Sequence, residues 1–335
     1  MKKLFYVAAL TCLFFACKKD SDVEPDDKQN PSAQSNIVFF VDTFRVYTTD
    51  LEGNGLKAII DEDEKSGNNF IGLIGYTQSK KLVYSYKTDA GQKSIKIANA
   101  NGSGIKSLKI FTVNDQIEFV SGFGNKILYM TKNYSTDYMN PIVEIRSMDE
   151  NGSNDTKLNL PQPSLAANSG AAYISTTYDY ASTTPSFTFY VVRFENGTWS
   201  EAKSFTLPKN TAALKGAAIS SDGNTLVYVT TPDYDSRNYD IYTVDISAKG
   251  NTSKKVASYT VPTTGEGGVS FPPSLSIGFA NGTANVIVGY GVNVDKQRYA
   301  TKNDYYFVQN IDVAKGTIIK KWKIFGEYGG SLLTN

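Results

Sequence analysis

The chain contains no histidine. That absence excludes Ser-His-Asp and Cys-His nucleophilic catalysis, imidazole acid–base chemistry and histidine-ligated zinc. Cysteine is nearly as scarce, with only Cys12 and Cys17. Net charge is almost missing too: 34 Lys and Arg against 33 Asp and Glu leave +1, so no phosphate-neutralising surface for nucleic acid is expected. Helical periodicity of useful length is absent. No glycine-rich stretch has the strand-to-helix context of a phosphate loop, and residues 265–268, just before Pro272-Pro273, read as a plain loop. Chemistry that uses only carboxylates, Tyr, Lys or Arg stays open. What the chain has in quantity is tyrosine, 22 of 335 residues, which suits half-buried β-sheet surfaces.

Lys2-Lys3 precede an apolar stretch over residues 4–16 that is too short to cross a bilayer comfortably. It ends in Leu13-Phe14-Phe15-Ala16-Cys17, which resembles a bacterial lipoprotein signal, although Phe14 stands where Leu is usual. The resemblance implies a signal peptide over residues 1–16, cleavage before Cys17, acylation of Cys17 and an outer-membrane lipid anchor. An ordinary secretory signal cleaved elsewhere is the other reading. Residues 17–36 have no apolar cluster to offset the entropy of ordering and read as a disordered tether. With Cys12 removed and Cys17 acylated, no intramolecular disulfide forms. The run Lys18-Lys19-Asp20-Ser21-Asp22 is similar to the export signals that send lipoproteins of Bacteroidetes-type bacteria to the cell exterior; a merely solvated linker is the alternative.

The folded domain is expected over residues 37–335. Short alternating runs fall into groups of four: 70–76, 81–86, 94–99 and 105–110; then 117–121, 126–131, 142–148 and 157–160; then 165–167, 172–177, 187–194 and 201–207. Two more groups follow, 217–219, 225–230, 240–246 and 254–261, then 274–279, 285–290, 305–311 and 318–325. The first group, 37–41, 44–49 and 56–60, lacks its innermost strand, which residues 331–334 are expected to supply. Turn glycines at Gly53, Gly102, Gly152, Gly197, Gly250 and Gly316 recur at intervals of 49, 50, 45, 53 and 66 residues. Four-stranded repeats of this length point to an all-β β-propeller with six four-stranded blades, closed by the C-terminal strand.

The motif is clearest in Ser220-Ser221-Asp222-Gly223, an Asp-Gly hairpin turn, and Ile241-Tyr242-Thr243-Val244-Asp245. These resemble the repeat of TolB-type (PD40-type) six-bladed propellers, with Ser221 in place of Pro. The segments 80–84 and 125–129 echo its second strand. Such a resemblance implies a fold and leaves function to the site.

The loops between second and third strands emerge on one face and are rich in Tyr and Asp. The candidate binding residues are Tyr134, Asp137 and Tyr138; Tyr178, Asp179 and Tyr180; Asp233, Tyr234, Asp235, Arg237 and Tyr239; and Asp295, Arg298 and Tyr299. Tyrosine offers apolar area at low entropic cost plus a hydroxyl, and Asp and Arg add directional hydrogen bonds. The expected partner is an envelope protein or a glycan, without cofactor or metal. Loops that merely keep the rim soluble are the alternative. A glycan-cleaving enzyme that uses only carboxylates is also open, with Asp137, Asp179, Asp233, Asp235 and Asp295 as candidates.

Overall fold

The structure is a computed structural model that describes residues 37–41, 45–50, 53–62, 70–88, 90–163, 165–169, 172–179, 186–200, 204–207, 214–220, 223–232, 238–246, 252–260, 275–279, 285–292, 305–325 and 332–334. The chain divides into two compact units, and every strand belongs to the second, Asn36–Asn335. The expected signal peptide, Cys17 and tether lie outside the described residues.

The first strands are β1 (Ile37–Val41), β2 (Arg45–Asp50) and β3 (Lys57–Asp61). A second group holds β4 (Phe70–Tyr76), β5 (Lys81–Lys87), β6 (Lys93–Asn99) and β7 (Lys106–Phe111). A third holds β8 (Asp115–Phe123), β9 (Lys126–Asn133), β10 (Ile142–Asp149) and β11 (Thr156–Leu158). Next come β12 (Leu165–Ser169), β13 (Ala172–Asp179), β14 (Ser186–Glu195), β15 (Thr198–Ser200) and β16 (Ser204–Thr206). They are followed by β17 (Leu214–Ile219), β18 (Thr225–Thr230), β19 (Asn238–Asp245) and β20 (Lys254–Thr260). The last are β21 (Leu275–Phe279), β22 (Asn285–Val292), β23 (Tyr305–Asp312), β24 (Thr317–Phe325) and β25 (Leu332–Thr334).

These strands form antiparallel sheets whose order follows the chain, and no helix occurs among the described residues. The exception to chain order is β25, which pairs with β1 through Val38 and Thr334, Phe39 and Leu333, and Phe40 and Leu332, giving the order β25-β1-β2-β3. Strands that open successive sheets touch: β4 meets β8, β8 meets β12, β12 meets β17 and β17 meets β21. The fold is all-β and propeller-like.

Why the sheets stack face to face is visible in their second strands. In β5, Leu82, Val83 and Tyr84 are all fully buried, and so are Ile127, Leu128 and Tyr129 in β9. A strand with one wet face alternates; a strand covered on both faces reads as a continuous apolar run. Leu82 and Tyr84 pack with Val46 and Ile60 of the preceding sheet, whereas Val83 packs with Val120 and Ile127 of the following one. Each such side chain contributes about 1.5–3 kcal/mol of apolar burial.

A buried tyrosine recurs in the second strand of three sheets, each with a hydroxyl partner. Tyr84, Tyr129 and Tyr228 occupy the same place in Lys81-Leu82-Val83-Tyr84, Lys126-Ile127-Leu128-Tyr129 and Thr225-Leu226-Val227-Tyr228. Their hydroxyls donate to Glu62 (2.5 Å), Asp155 (2.7 Å) and Ser253 (2.7 Å). Asp155 also pairs with Lys109 of the preceding sheet and with Arg146 at 2.9 Å. A buried hydroxyl needs a partner, and these supply one at each step.

Two expectations about strands are corrected. The strand expected over 201–207 is described at its β16 part, 204–206, and a further short strand, β15, precedes it; both pair with β14, at Thr188–Thr206 and at Glu195–Thr198. The tight Asn196-Gly197 turn starts the return strand at once, so pairing begins at Thr198, earlier than expected. Strand β19 starts at Asn238 rather than at residue 240, which changes the role of Tyr239.

Candidate functional site: the tyrosine loop between β9 and β10

Asn133, the last residue of β9, pairs with both Asp115 at the start of β8 and Ile142 at the start of β10. The link over 112–114 and the loop over 134–141 therefore share one end of this sheet. Hydrogen bonds tie them together. The Asn133 amide nitrogen donates to Asp115 at 2.6 Å, and Asp115 accepts from Thr112 N–H (3.0 Å) and Thr112 hydroxyl (2.8 Å). Tyr134 N–H donates to the Asn114 carbonyl at 3.2 Å, and Lys93 Nζ donates to the Val113 carbonyl at 2.9 Å, which joins the neighbouring sheet to the same link. Burial alone would raise the Asp115 carboxyl; the hydrogen bonds from Asn133 and Thr112 outweigh it and hold the group below its ordinary range.

Inside the loop the polar side chains turn inward. Asn133 Oδ1 accepts from Ser135 N–H (2.9 Å) and from the Ser135 hydroxyl. Asp137 accepts from Met139 N–H and from the Asn140 amide, each at 2.8 Å. Those bonds, the Asn140 one foremost, lower the Asp137 pKa. Such Asx turns substitute side-chain acceptors for backbone ones and fix a loop that has no ladder of its own.

With those groups engaged internally, the loop presents its apolar parts. Tyr138 is 80% exposed and Met139 82%, with Val113 and Ile142 also exposed on this end of the sheet. The rings of Tyr134 and Tyr138 lie 5.3 Å apart at 38°, so each limits the freedom of the other. The loop's one carboxylate is already satisfied. What it offers a ligand is aromatic and thioether surface with tyrosine hydroxyls.

Of the sequence-derived site residues, the structure brings Tyr134, Asp137 and Tyr138 together in this loop and gives Asp137 an internal, loop-holding part. Tyr178 and Asp179 end β13, where they pair with Phe187 and Ser186. Tyr239 is corrected: it is fully buried, not on the rim. Because β19 starts early, its alternation begins with exposed Asn238 and turns Tyr239 inward, and burial raises its pKa. Tyr180, Asp233, Tyr234, Asp235, Arg237, Asp295, Arg298 and Tyr299 lie outside the described residues. Met139 and the anchors Asn133 and Asp115 were missed by sequence reasoning. Their signal was the Asn-x-Ser spacing of 133–135, which also shapes the turns at 101–103 and 151–153. Among the described residues no cluster of three acidic, Cys or His side chains is placed to hold a metal.

No protein-family model matches the chain, and no curated protein matches it. Among solved structures it resembles TolB from Acinetobacter baumannii, with a TM-score of 0.53 and 17% identity over 89% of this chain and 65% of that one. A putative TolB from Agrobacterium tumefaciens is similar at a TM-score of 0.49 and 12% identity, covering 89% of this chain and 96% of that one. A prolyl endopeptidase structure gives 0.43 and 13%, with 88% of this chain and 50% of that one covered. The chain thus spans about two thirds of the first TolB structure, and shares the fold of TolB-type propellers.

Proposed function

We propose that this chain is a lipoprotein displayed at the outer surface of the outer membrane, acylated at Cys17 and held on a tether over residues 17–36. In this reading the domain over 37–335 is a six-bladed propeller closed by β25. It binds a partner through the tyrosine-rich loops of one face, without turnover. Support for the blade reading comes from the sheet orders and from β25 lying beside β1, with β21 and β4 as its other neighbours.

The observation that carries the binding reading is the exposed Tyr138 ring, backed by the half-buried Tyr134 ring, on a loop made rigid by its own hydrogen bonds. A pre-ordered aromatic surface loses little entropy on binding. In this reading Tyr178, Asp179, Tyr180, Asp233, Tyr234, Asp235, Arg237, Asp295, Arg298 and Tyr299 are proposed as further binding residues on the same grounds of composition. Between the two expected partner classes, the loop favours an envelope protein over a glycan. Sugar hydroxyls call for free directional acceptors, whereas Asp137 and Asn133 are occupied; exposed Tyr and Met are the residues enriched at protein interfaces. The same occupancy weighs against Asp137 as half of a glycosidase pair.

The test is a photo-cross-linker at position 138 in the full-length chain on cells, with a second at Ile319 as a remote control. A discrete protein adduct from position 138 and none from 319 is expected. Equal adduct patterns from both positions would overturn the reading. Cys17→Ser, expected to release the chain from the membrane fraction, tests the anchor separately.

A further inference from the structure

Five Asn-Gly pairs occur in the chain, at Asn54, Asn101, Asn151, Asn196 and Asn281, the last outside the described residues. Asn-Gly is the sequence in which a side-chain amide is most easily lost. The glycine nitrogen, unhindered by a side chain, bonds to the asparagine Cγ and ammonia leaves. Water then opens the resulting succinimide to aspartate or isoaspartate. The reaction needs the carboxamide free to rotate and the glycine nitrogen free to swing over it, so a folded turn reacts through local opening.

Three of the pairs are held against that motion. Asn54 donates its amide to Asp50 at 3.1 Å. Asn101 Oδ1 accepts from Ser103 N–H and hydroxyl, at 3.0 and 2.7 Å, and Asn151 Oδ1 accepts from Ser153 N–H and hydroxyl, at 2.9 and 2.6 Å. The attacking nitrogens are engaged as well: Gly102 and Gly152 each donate to a backbone carbonyl at 2.8 Å, those of Asn99 and Asp149. Both glycines also lie against the outer strand of the preceding sheet, at Ile59 and Leu108.

Asn196 differs from Asn101 and Asn151 on each count, and from Asn54, whose Gly55 also has open space around it, in its carboxamide. It is exposed, and among the described residues its carboxamide has no hydrogen-bond partner. Its φ is +52°, in the left-handed region, and Gly197 follows at +79° with nothing within 4 Å of where a Cβ would stand. The turn closes only the three-residue β15, whose register with β14 is Arg193–Ser200, Phe194–Trp199 and Glu195–Thr198. We infer that, among the four described pairs, Asn196–Gly197 is the site of spontaneous deamidation in the folded protein, the other three being protected by their turns.

The position gives the modification a structural consequence. Isoaspartate routes the main chain through an extra methylene, which a two-residue hairpin turn cannot take without losing register. Two residues on is Trp199, whose ring packs 4.6 Å from Phe194, 5.1 Å from Phe123 and 6.0 Å from Tyr173. Phe123 belongs to the preceding sheet, so the turn controls an aromatic contact between sheets.

The experiment is timed incubation of the full-length chain in mildly alkaline buffer, with peptide mass spectrometry and isoaspartate assay at each pair. In the folded protein, Asn196 should convert at least about tenfold faster than Asn54, Asn101 or Asn151, and denaturant should bring the four rates together. Asn196→Gln, which alters neither strand, should remove the early product and keep the tryptophan emission of aged samples unchanged. Equal rates in the folded protein, or Asn101 or Asn151 leading, would overturn the inference. So would a spread among the four rates that persists unaltered in denaturant, since it would owe nothing to the fold.

Discussion

A Cβ built on Gly102 would lie 1.6 Å from the carbonyl oxygen of Ile59, a residue of the outer strand of the preceding sheet. The same relationship recurs down the chain. Gly316 would meet the Val256 carbonyl at 2.2 Å, and Gly152 the Leu108 carbonyl at 3.1 Å. The turn glycine is thus needed twice over, for its positive φ and for the backbone that lies against it.

Gly102→Ala should therefore destabilise the protein by about 3 kcal/mol or more, combining left-handed strain with a backbone collision that no rotamer relieves. Gly197→Ala, with a similar φ and open space around it, should cost only about 1 kcal/mol. Urea unfolding of the two variants separates conformation from contact.

Asp155 should set part of the acid sensitivity. Burial alone would raise its carboxyl, but hydrogen bonds from Lys109, Tyr129 and Arg146 outweigh that and lower it. A carboxyl lowered by folding adds stability that is present above its unfolded pKa, about 3.9, and is lost as pH falls through the folded value. Asp155→Asn should cost about 2 kcal/mol at neutral pH and flatten the acid limb of stability against pH. Unfolding across an acid pH series checks both.

Trp199→Ala should cost about 3 kcal/mol, because it empties the space between Phe123, Phe194 and Tyr173. Trp199→Phe should recover most of that. Thermal unfolding of the pair is the measurement.

Asp137→Ala should leave global unfolding unchanged, since the residue is exposed and bonds only within its loop. It should nonetheless weaken partner binding about tenfold through loss of loop order alone. Unfolding and binding measured on one preparation decide this.

Much of the fold was legible because strand patterning is local. Asn101-Gly102 and Asn151-Gly152 announce their turns by residue type, and Leu82-Val83-Tyr84 announces a strand covered on both faces. The pairing of β25 with β1 could be expected only from a missing strand, since nothing in Leu332-Leu333-Thr334 itself specifies a partner. The early start at β15 was not legible, because pairing along β14 is decided by where the turn at Asn196 releases the chain. Tyr239 was misplaced because β19 begins two residues earlier than the pattern suggests, which takes Tyr239 out of the loop and into a strand position that faces the core. At the site, tyrosines could be counted from sequence, but whether Asp137 faces a ligand or its own loop depends on distances of a few ångströms.

The central claim is that the Tyr134–Tyr138 surface binds a protein of the envelope. Its most direct measurement is quantitative co-purification from cross-linked cells of the unaltered chain beside Tyr138→Ala with Met139→Ala. The account predicts one enriched protein that falls at least about tenfold in the double variant, with surface level and unfolding unchanged. Retention of that protein at full level by the double variant would contradict it.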